Sequence, residues 1–298
     1  MSGTPGERPV DDRPLAEQPE DALVVRLRRA GCVFAEEEAA LVLEQAATAA
    51  DPVAEADRLA SAREQGLPLE QVLGWAGLAG VRVAVEPGVF VPRRRTELMV
   101  ACAVDLGAAR RVDPVVLLDL CCGSGAVALA VAHGLREHGR AVEVSAADLD
   151  EAAVRCARGN LPGARVLRSD LFADLPADLR GRVDVLTANV PYVPSAALAL
   201  MPREAREHEP RLALDGGDDG LGVLRRVAAQ ASDWLAPGGT LLVETSEEQE
   251  PTALAVLGEA GLDAGSRVDD DLGATVVLGT RPPRRHEAAA GPDGRLAG

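Results

Sequence analysis

The chain has 298 residues, 47% of them hydrophobic, enough for one large domain and a smaller one. Only 2% are aromatic, so the core has to be built from Leu, Val and Ala. The net charge of −16 argues against stable nucleic-acid binding, which needs a basic face, and no apolar run is long enough to imply a membrane partner.

Residues 1–19 are rich in Pro, Asp, Glu and Arg, lack the apolar stretch of a secretory signal, and read as a disordered tail. Residues 20–75 read as a helical domain. Leu23, Val24, Leu27 and Ala30 recur at a helical period up to Gly31; a second helix is expected over 36–50, before Asp51-Pro52; a third over 53–64, before Gly66 and Pro68. With few chemical groups, it suits packing or partner docking. Residues 76–95 read as a hairpin linker: residues 81–85 alternate like a strand, Glu86-Pro87-Gly88 forms a turn, and Val89-Phe90-Val91 is the expected return strand.

Residues 96–281 alternate between helix and strand. Helices are expected over 96–106, 125–138, 151–159, 221–235 and 251–260. Strands are expected over 115–120, 142–147, 165–168, 183–188, 240–244 and 274–278. This implies an α/β fold whose mostly parallel sheet has helices on both faces and binds ligands beyond its strand ends. Residues 282–298 read as a second disordered tail.

Asp119-Leu120-Cys121-Cys122-Gly123-Ser124-Gly125 follows the first of these strands and opens a helix. Its glycines allow close backbone approach to a ligand, although a plain strand-to-helix turn has the same look. Asp148 ends the next strand, where a carboxylate can accept both ribose hydroxyls; the alternative is a helix N-cap, a role also open to Asp150. Asp170 ends the third strand and is either an acceptor for an adenine amine or a surface aspartate. The loop lacks a full GxGxxG, and neighbouring carboxylates suit a cationic ligand, which favours S-adenosylmethionine over a nicotinamide dinucleotide.

Asn189-Val190-Pro191-Tyr192 ends the strand over 183–188. The Asn189 side-chain oxygen and the Val190 carbonyl can accept both hydrogens of one planar NH2 group, on which Tyr192 can stack. Such a clamp orients an amide or amine nitrogen for in-line methyl transfer. A strand-ending turn is the alternative. Arg93-Arg94-Arg95 is either part of the site or a solvated turn. Neither the five cysteines nor the four histidines show metal-ligand spacing, so no metal is expected, and reduced thiols suit a cytoplasmic protein.

Over roughly residues 67–278 these features resemble the HemK-like (PrmC-type) class I methyltransferases, which modify the glutamine side-chain nitrogen of peptide-chain release factors. The resemblance is carried by Gly66-Leu67-Pro68 with Val72-Leu73-Gly74, Val91-Pro92-Arg93 with Thr96-Glu97, the glycine loop, Asp148 and Ser169-Asp170-Leu171-Phe172. The Asn189 tetrad follows, then Glu209-Pro210-Arg211-Leu212-Ala213-Leu214-Asp215-Gly216-Gly217 and Asp219-Gly220-Leu221. That last block is the most family-specific. The resemblance implies a Rossmann-like, seven-stranded, mostly parallel sheet, a helical domain that helps dock a release factor, and S-adenosyl-L-methionine as cofactor.

Several positions depart from the family. Val190 stands for a usual Pro, Cys121 for the first loop glycine, Arg94 for a Pro, and Leu171 where some relatives place an aromatic; Asp271-Leu272-Gly273-Ala274 is a reduced form of the family's ending. These bear on the substrate more than on the cofactor. One rival reading is a DNA amino-methyltransferase, which needs a basic channel for a flipped base. The other is a cofactor-binding protein that has lost catalysis, supported by Cys121 and Val190 alone.

Overall fold

A computed structural model describes residues 19–283. Both expected tails lie outside the described residues, except Pro19, Pro282 and Pro283. The chain forms two compact units, one ending at Leu73 and the other starting at Gly74.

The first unit contains α1 (Pro19–Arg29), α2 (Ala35–Ala46), α3 (Pro52–Glu64) and the short α4 (Leu69–Leu73). Leu27, Ala39, Val42 and Leu59 are buried in it. Gly31, at φ +92°, takes the left-handed conformation that follows the end of α1. Asp51 caps α3 by accepting the Ala54 N–H at 3.1 Å. Asp51 is extended before Pro52, and α2 stops at Ala46 rather than at 50, its end closed by the Ala47 N–H on the Leu43 carbonyl at 2.9 Å. The nearly buried Arg63 bridges α3 to Glu38 of α2 at 2.8 Å.

The second unit opens with an antiparallel hairpin of β1 (Trp75–Leu78) and β2 (Val81–Ala84). This corrects the expected pairing: β2 pairs with the strand before it, not with Val89-Phe90-Val91. The two-residue link Ala79-Gly80, with φ of 45° and 81°, makes the tight reversal. The Glu86–Val89 turn does form, with a 3.1 Å bond from Val89 N–H to the Glu86 carbonyl, but the chain after it stays irregular and carries Val89 and Val91 into the core.

The remaining elements are α5 (Glu97–Ala109), β3 (Val115–Leu120), α6 (Ala126–Glu137), β4 (Val142–Asp148), α7 (Glu151–Asn160), β5 (Arg165–Arg168), β6 (Val183–Ala188), α8 (Arg203–His208), α9 (Gly222–Trp234), β7 (Leu235–Thr245), α10 (Glu250–Glu259), β8 (Asp263–Asp269) and β9 (Ala274–Thr280). The sheet order is β5-β4-β3-β6-β7-β9-β8, and β9 alone runs opposite to the other six strands. This is the expected seven-stranded, mostly parallel α/β sheet.

Every residue of β3 and β6 is buried. On β3, Val115 and Leu117 join the core that holds the hairpin, α5 and α6, while Val116, Leu118 and Leu120 join the core under α9 and α10. Strand order reverses between β3 and β6, so the crevice beyond their C-terminal ends is the natural ligand site. No helix among the described residues is long and apolar enough to cross a membrane.

Candidate active site

A cleft of about 1080 Å³, counting its open mouth, lies beyond the ends of the central strands. Cys121, Gly123, Asp148, Asp170, Leu171 and the tetrad Asn189 to Tyr192 all line it. An adjoining inner hollow is lined by Thr96, Asp119, Cys122 and Ser124 and shares Cys121, Gly123 and Asn189 with the cleft.

The glycine loop bends through three left-handed residues, Cys121 (φ 53°), Gly123 (54°) and Gly125 (79°). Cys121 adopts there a conformation that favours glycine, which accounts for the family's usual residue at that position. A Cβ on Gly125 would sit 2.8 Å from the end of the Leu161 side chain, which would have to shift, so packing adds to the preference for glycine set by the backbone. Nothing stands within 4 Å of the Cβ position of Gly123, which leaves that backbone approachable from the cleft.

Asp148 braces this loop. Its Oδ2 accepts the Gly123 N–H at 2.9 Å, and its Oδ1 accepts the Asp150 N–H at 2.9 Å. Asp150, not Asp148, caps α7, accepting the Ala152 N–H at 2.8 Å. Burial raises the Asp148 carboxyl above the ordinary range, against the lowering effect of those N–H bonds. Burial likewise raises the thiols of Cys121 and Cys122, so neither is a ready thiolate.

Asp119, at the end of β3, is 1% exposed. Its Oδ1 accepts the Thr187 hydroxyl at 2.7 Å, while Oδ2 is buried without a partner among the described residues. Burial pushes its carboxyl up to about 7. An orphaned, acceptor-only oxygen beside a hollow fits a cationic donor such as the ammonium of S-adenosylmethionine.

Asp170 lines the cleft and is already partnered: both its oxygens lie 2.8 Å from Arg226 Nη2. Leu171 follows it in a left-handed conformation (φ 54°) as part of the wall.

Asn189 ends β6 and is aligned through Nδ2, which lies 3.5 Å from Thr96 Oγ1. Val190 is buried, and Tyr192 donates its hydroxyl to Glu244 Oε1 at 3.0 Å. Burial, and then the charge of Glu244, raise the Tyr192 phenol.

The family-specific block is a backbone brace for this loop. Val193 N–H donates to the Leu214 carbonyl at 3.0 Å, and Gly216 N–H to the Val193 carbonyl at 2.9 Å. A Cβ on Gly216 would lie 2.7 Å from the Pro191 carbonyl, and one on Gly220 2.2 Å from that of Tyr192. Gln249 Nε2 closes the brace by donating to the carbonyls of Tyr192 and Asp219, both at 2.9 Å.

Several site residues were not assigned a role from the sequence. Glu244 ends β7 with a nearly buried carboxylate that accepts Thr96 Oγ1 at 2.7 Å and Arg95 Nε at 3.0 Å. Its signal is a polar end to a buried strand, the same one that singles out Asp119 and Asp148. Arg93 donates to the buried Glu209. Of the arginine run, Arg93 and Arg95 line the cleft and Arg94 does not, although Arg94 and Arg95 are both exposed.

No family model matches the chain. The release factor glutamine methyltransferase of Streptomyces coelicolor is 39% identical over 189 residues, 63% of this chain and 66% of that protein, so the match spans about two thirds of that relative. The enzyme of the same name from Mycobacterium tuberculosis is 32% identical over 241 residues, 80% of this chain and 78% of its own length. The 4-amino-L-phenylalanine/4-methylamino-L-phenylalanine methyltransferase of Streptomyces pristinaespiralis is 36% identical, covering 65% of this chain and 66% of that protein. Among solved structures, the 16S rRNA N2 G1207 methyltransferase of T. thermophilus superimposes with a TM-score of 0.49 at 22% identity, over 70% of this chain and 49% of that one. With a relative of that name 32% identical and matched over 78% of its own length, the chain belongs to the release factor glutamine methyltransferase family.

Proposed function

We propose that the chain is an S-adenosylmethionine-dependent methyltransferase acting on the N5 nitrogen of a glutamine in a peptide-chain release factor, in the cytoplasm. The observation that carries this reading is the braced Asn189–Tyr192 loop beside the glycine loop, with the Asn189 nitrogen directed at Thr96 and its oxygen left for the cleft.

Bound S-adenosylmethionine supplies an electrophilic methyl on a sulfonium. Asp119, which lines the inner hollow and has one oxygen without a partner among the described residues, would hold its ammonium. Asp148, which keeps a lone pair on each oxygen, would hold the ribose hydroxyls, and Asp170 beside Arg226 would accept from the adenine amine. Cys121, Cys122, Gly123, Ser124 and Leu171 form the walls.

A carboxamide nitrogen is a weak nucleophile because its lone pair is delocalised. Asn189 Oδ1 and the Val190 carbonyl accept its two hydrogens, return electron density to it and fix its approach. Tyr192 packs against the amide plane, and Pro191 keeps Val190 extended so that its carbonyl can take part. No general base is needed before transfer, because the surplus proton leaves afterwards.

The test is incubation with labelled cofactor and an intact release factor, followed by fragment mass spectrometry. Methyl on a glutamine side-chain nitrogen is the expected result. A second reading is methylation of an arylamine, favoured by Val190 in place of Pro and by the aminophenylalanine methyltransferase among the relatives. Label on 4-aminophenylalanine and none on the release factor would select it.

A further inference from the structure

Asn189 can clamp an NH2 group only if its amide is the right way round. An amide flipped by 180° presents a donor to the cleft and repels the hydrogens it should accept. The question is what fixes the flip.

Glu244 is surrounded by donors. Arg95 Nε and the Tyr192 hydroxyl both lie 3.0 Å from its Oε1, and Thr96 Oγ1 lies 2.7 Å from its Oε2. The Thr96 hydroxyl has one proton, and it is committed to Glu244. Thr96 can then offer Asn189 only a lone pair, and the atom that meets it, at 3.5 Å, is the donor Nδ2. A flipped amide would place two acceptor oxygens against each other. Thr96 and Glu244 are both buried, where such a repulsion is costly.

We propose that Thr96, with its proton held by Glu244, is the positioning residue that sets the Asn189 amide and so makes the clamp selective for an acceptor nitrogen bearing two hydrogens. This rests on the reading of Asn189 as part of the acceptor clamp. The same carboxylate holds the Tyr192 hydroxyl, so one buried group orients both ends of the tetrad.

The isosteric change Glu244→Gln reverses the donor pattern around Thr96. Arg95 can only donate, so the new amide must turn its oxygen to Arg95 and its NH2 to Thr96. Thr96 then accepts from Gln, and its proton is released toward Asn189, which favours the wrong flip.

The test compares Thr96→Val, Thr96→Ser, Glu244→Gln and the Thr96→Val/Glu244→Gln double variant in the full chain. Thr96→Val is expected to lower kcat on a release factor by about tenfold or more and Glu244→Gln by about a hundredfold, with the Kd for S-adenosylmethionine within about twofold of wild type. Thr96→Ser should stay within about threefold of wild-type kcat. The double variant should lose no more than Glu244→Gln alone, because the misdirecting hydroxyl is gone.

A second measurement needs no acceptor. In 15N-labelled protein loaded with cofactor, the Asn189 side-chain NH2 should exchange slowly in wild type and Thr96→Ser, and rapidly in Thr96→Val and Glu244→Gln. Equal exchange in all four proteins, wild-type turnover by Thr96→Val, or additive losses with a matching loss of cofactor affinity would overturn the proposal. A wild type that shows the exchange pattern but methylates no release factor would instead count against the substrate reading.

Discussion

Asp119 carries a stability penalty that its place in the inner hollow explains. An ordinary aspartate titrates near 3.8 and this one near 7, so between those values the folded protein holds a proton that the unfolded chain has released. Stability of the cofactor-free protein therefore falls as pH rises through that window, at about 1.4 kcal/mol per pH unit at most. Asp119→Asn removes the buried charge and should raise the melting temperature at pH 8, with the gain shrinking toward pH 4. It should also weaken S-adenosylmethionine binding and flatten its pH dependence, whereas wild type should bind more tightly at pH 8 than at pH 6; calorimetry across that range checks both. A second residue-scale prediction separates the two halves of the cleft. Asn189→Ala should leave the cofactor Kd within about threefold of wild type and lower kcat by about a hundredfold or more, whereas Asp148→Ala should chiefly weaken the cofactor, as equilibrium binding and single-turnover assays would show. Loop and tetrad were legible as strings because each is local, a strand end followed by special backbone. The Thr96–Glu244 contact was not, because its partners stand 148 positions apart and only the sheet brings them together.

At the scale of elements, the brace over residues 214–220 explains why a long motif accompanies a short tetrad. Glycines at 216 and 220 let two backbones meet where side chains would collide with carbonyls. In Gly220→Ala the new Cβ would meet the Tyr192 carbonyl at 2.2 Å, on a residue whose φ is already +77°. Backbone has to move, at a cost of about 2 kcal/mol or more. Thermal unfolding should show that loss, and turnover should fall by a larger factor than cofactor affinity, because the glycine loop hangs from β3 rather than from the brace. Wild-type turnover by this variant would detach the brace from the chemistry. The central strands were legible from sequence because burial on both faces makes them continuous apolar runs. The strand β8 was not: it is an edge strand of mostly exposed residues, DAGSRVD, without an apolar period. The strand β1 was overlooked for a related reason, since its four residues include Gly77 and alternate only weakly. The turn over 86–89 is legible from Pro87 and Gly88, but a turn alone does not say whether a strand follows it.

At the scale of the molecule, the division at Leu73 and Gly74 falls where chemistry begins. Both hydrophobic cores of the second unit are made of residues between Ala76 and Leu278, and the cleft's first lining residue is Gly88. A chain starting at Gly74 therefore retains every group assigned to cofactor and clamp, and it should unfold cooperatively and bind S-adenosylmethionine with a Kd within about threefold of the full chain. The helical unit holds few chemical groups, and its exposed Val33, Phe34 and Val53 offer apolar surface to a partner. If that unit docks the substrate protein, its removal should raise KM for an intact release factor by about tenfold or more and leave kcat/KM for a short glutamine peptide nearly unchanged, because the peptide reaches only the cleft. Steady-state kinetics on the two substrates separates the outcomes. Equal losses on both would mean that the first unit supports the fold of the second, and no loss on either would leave it without a part in docking.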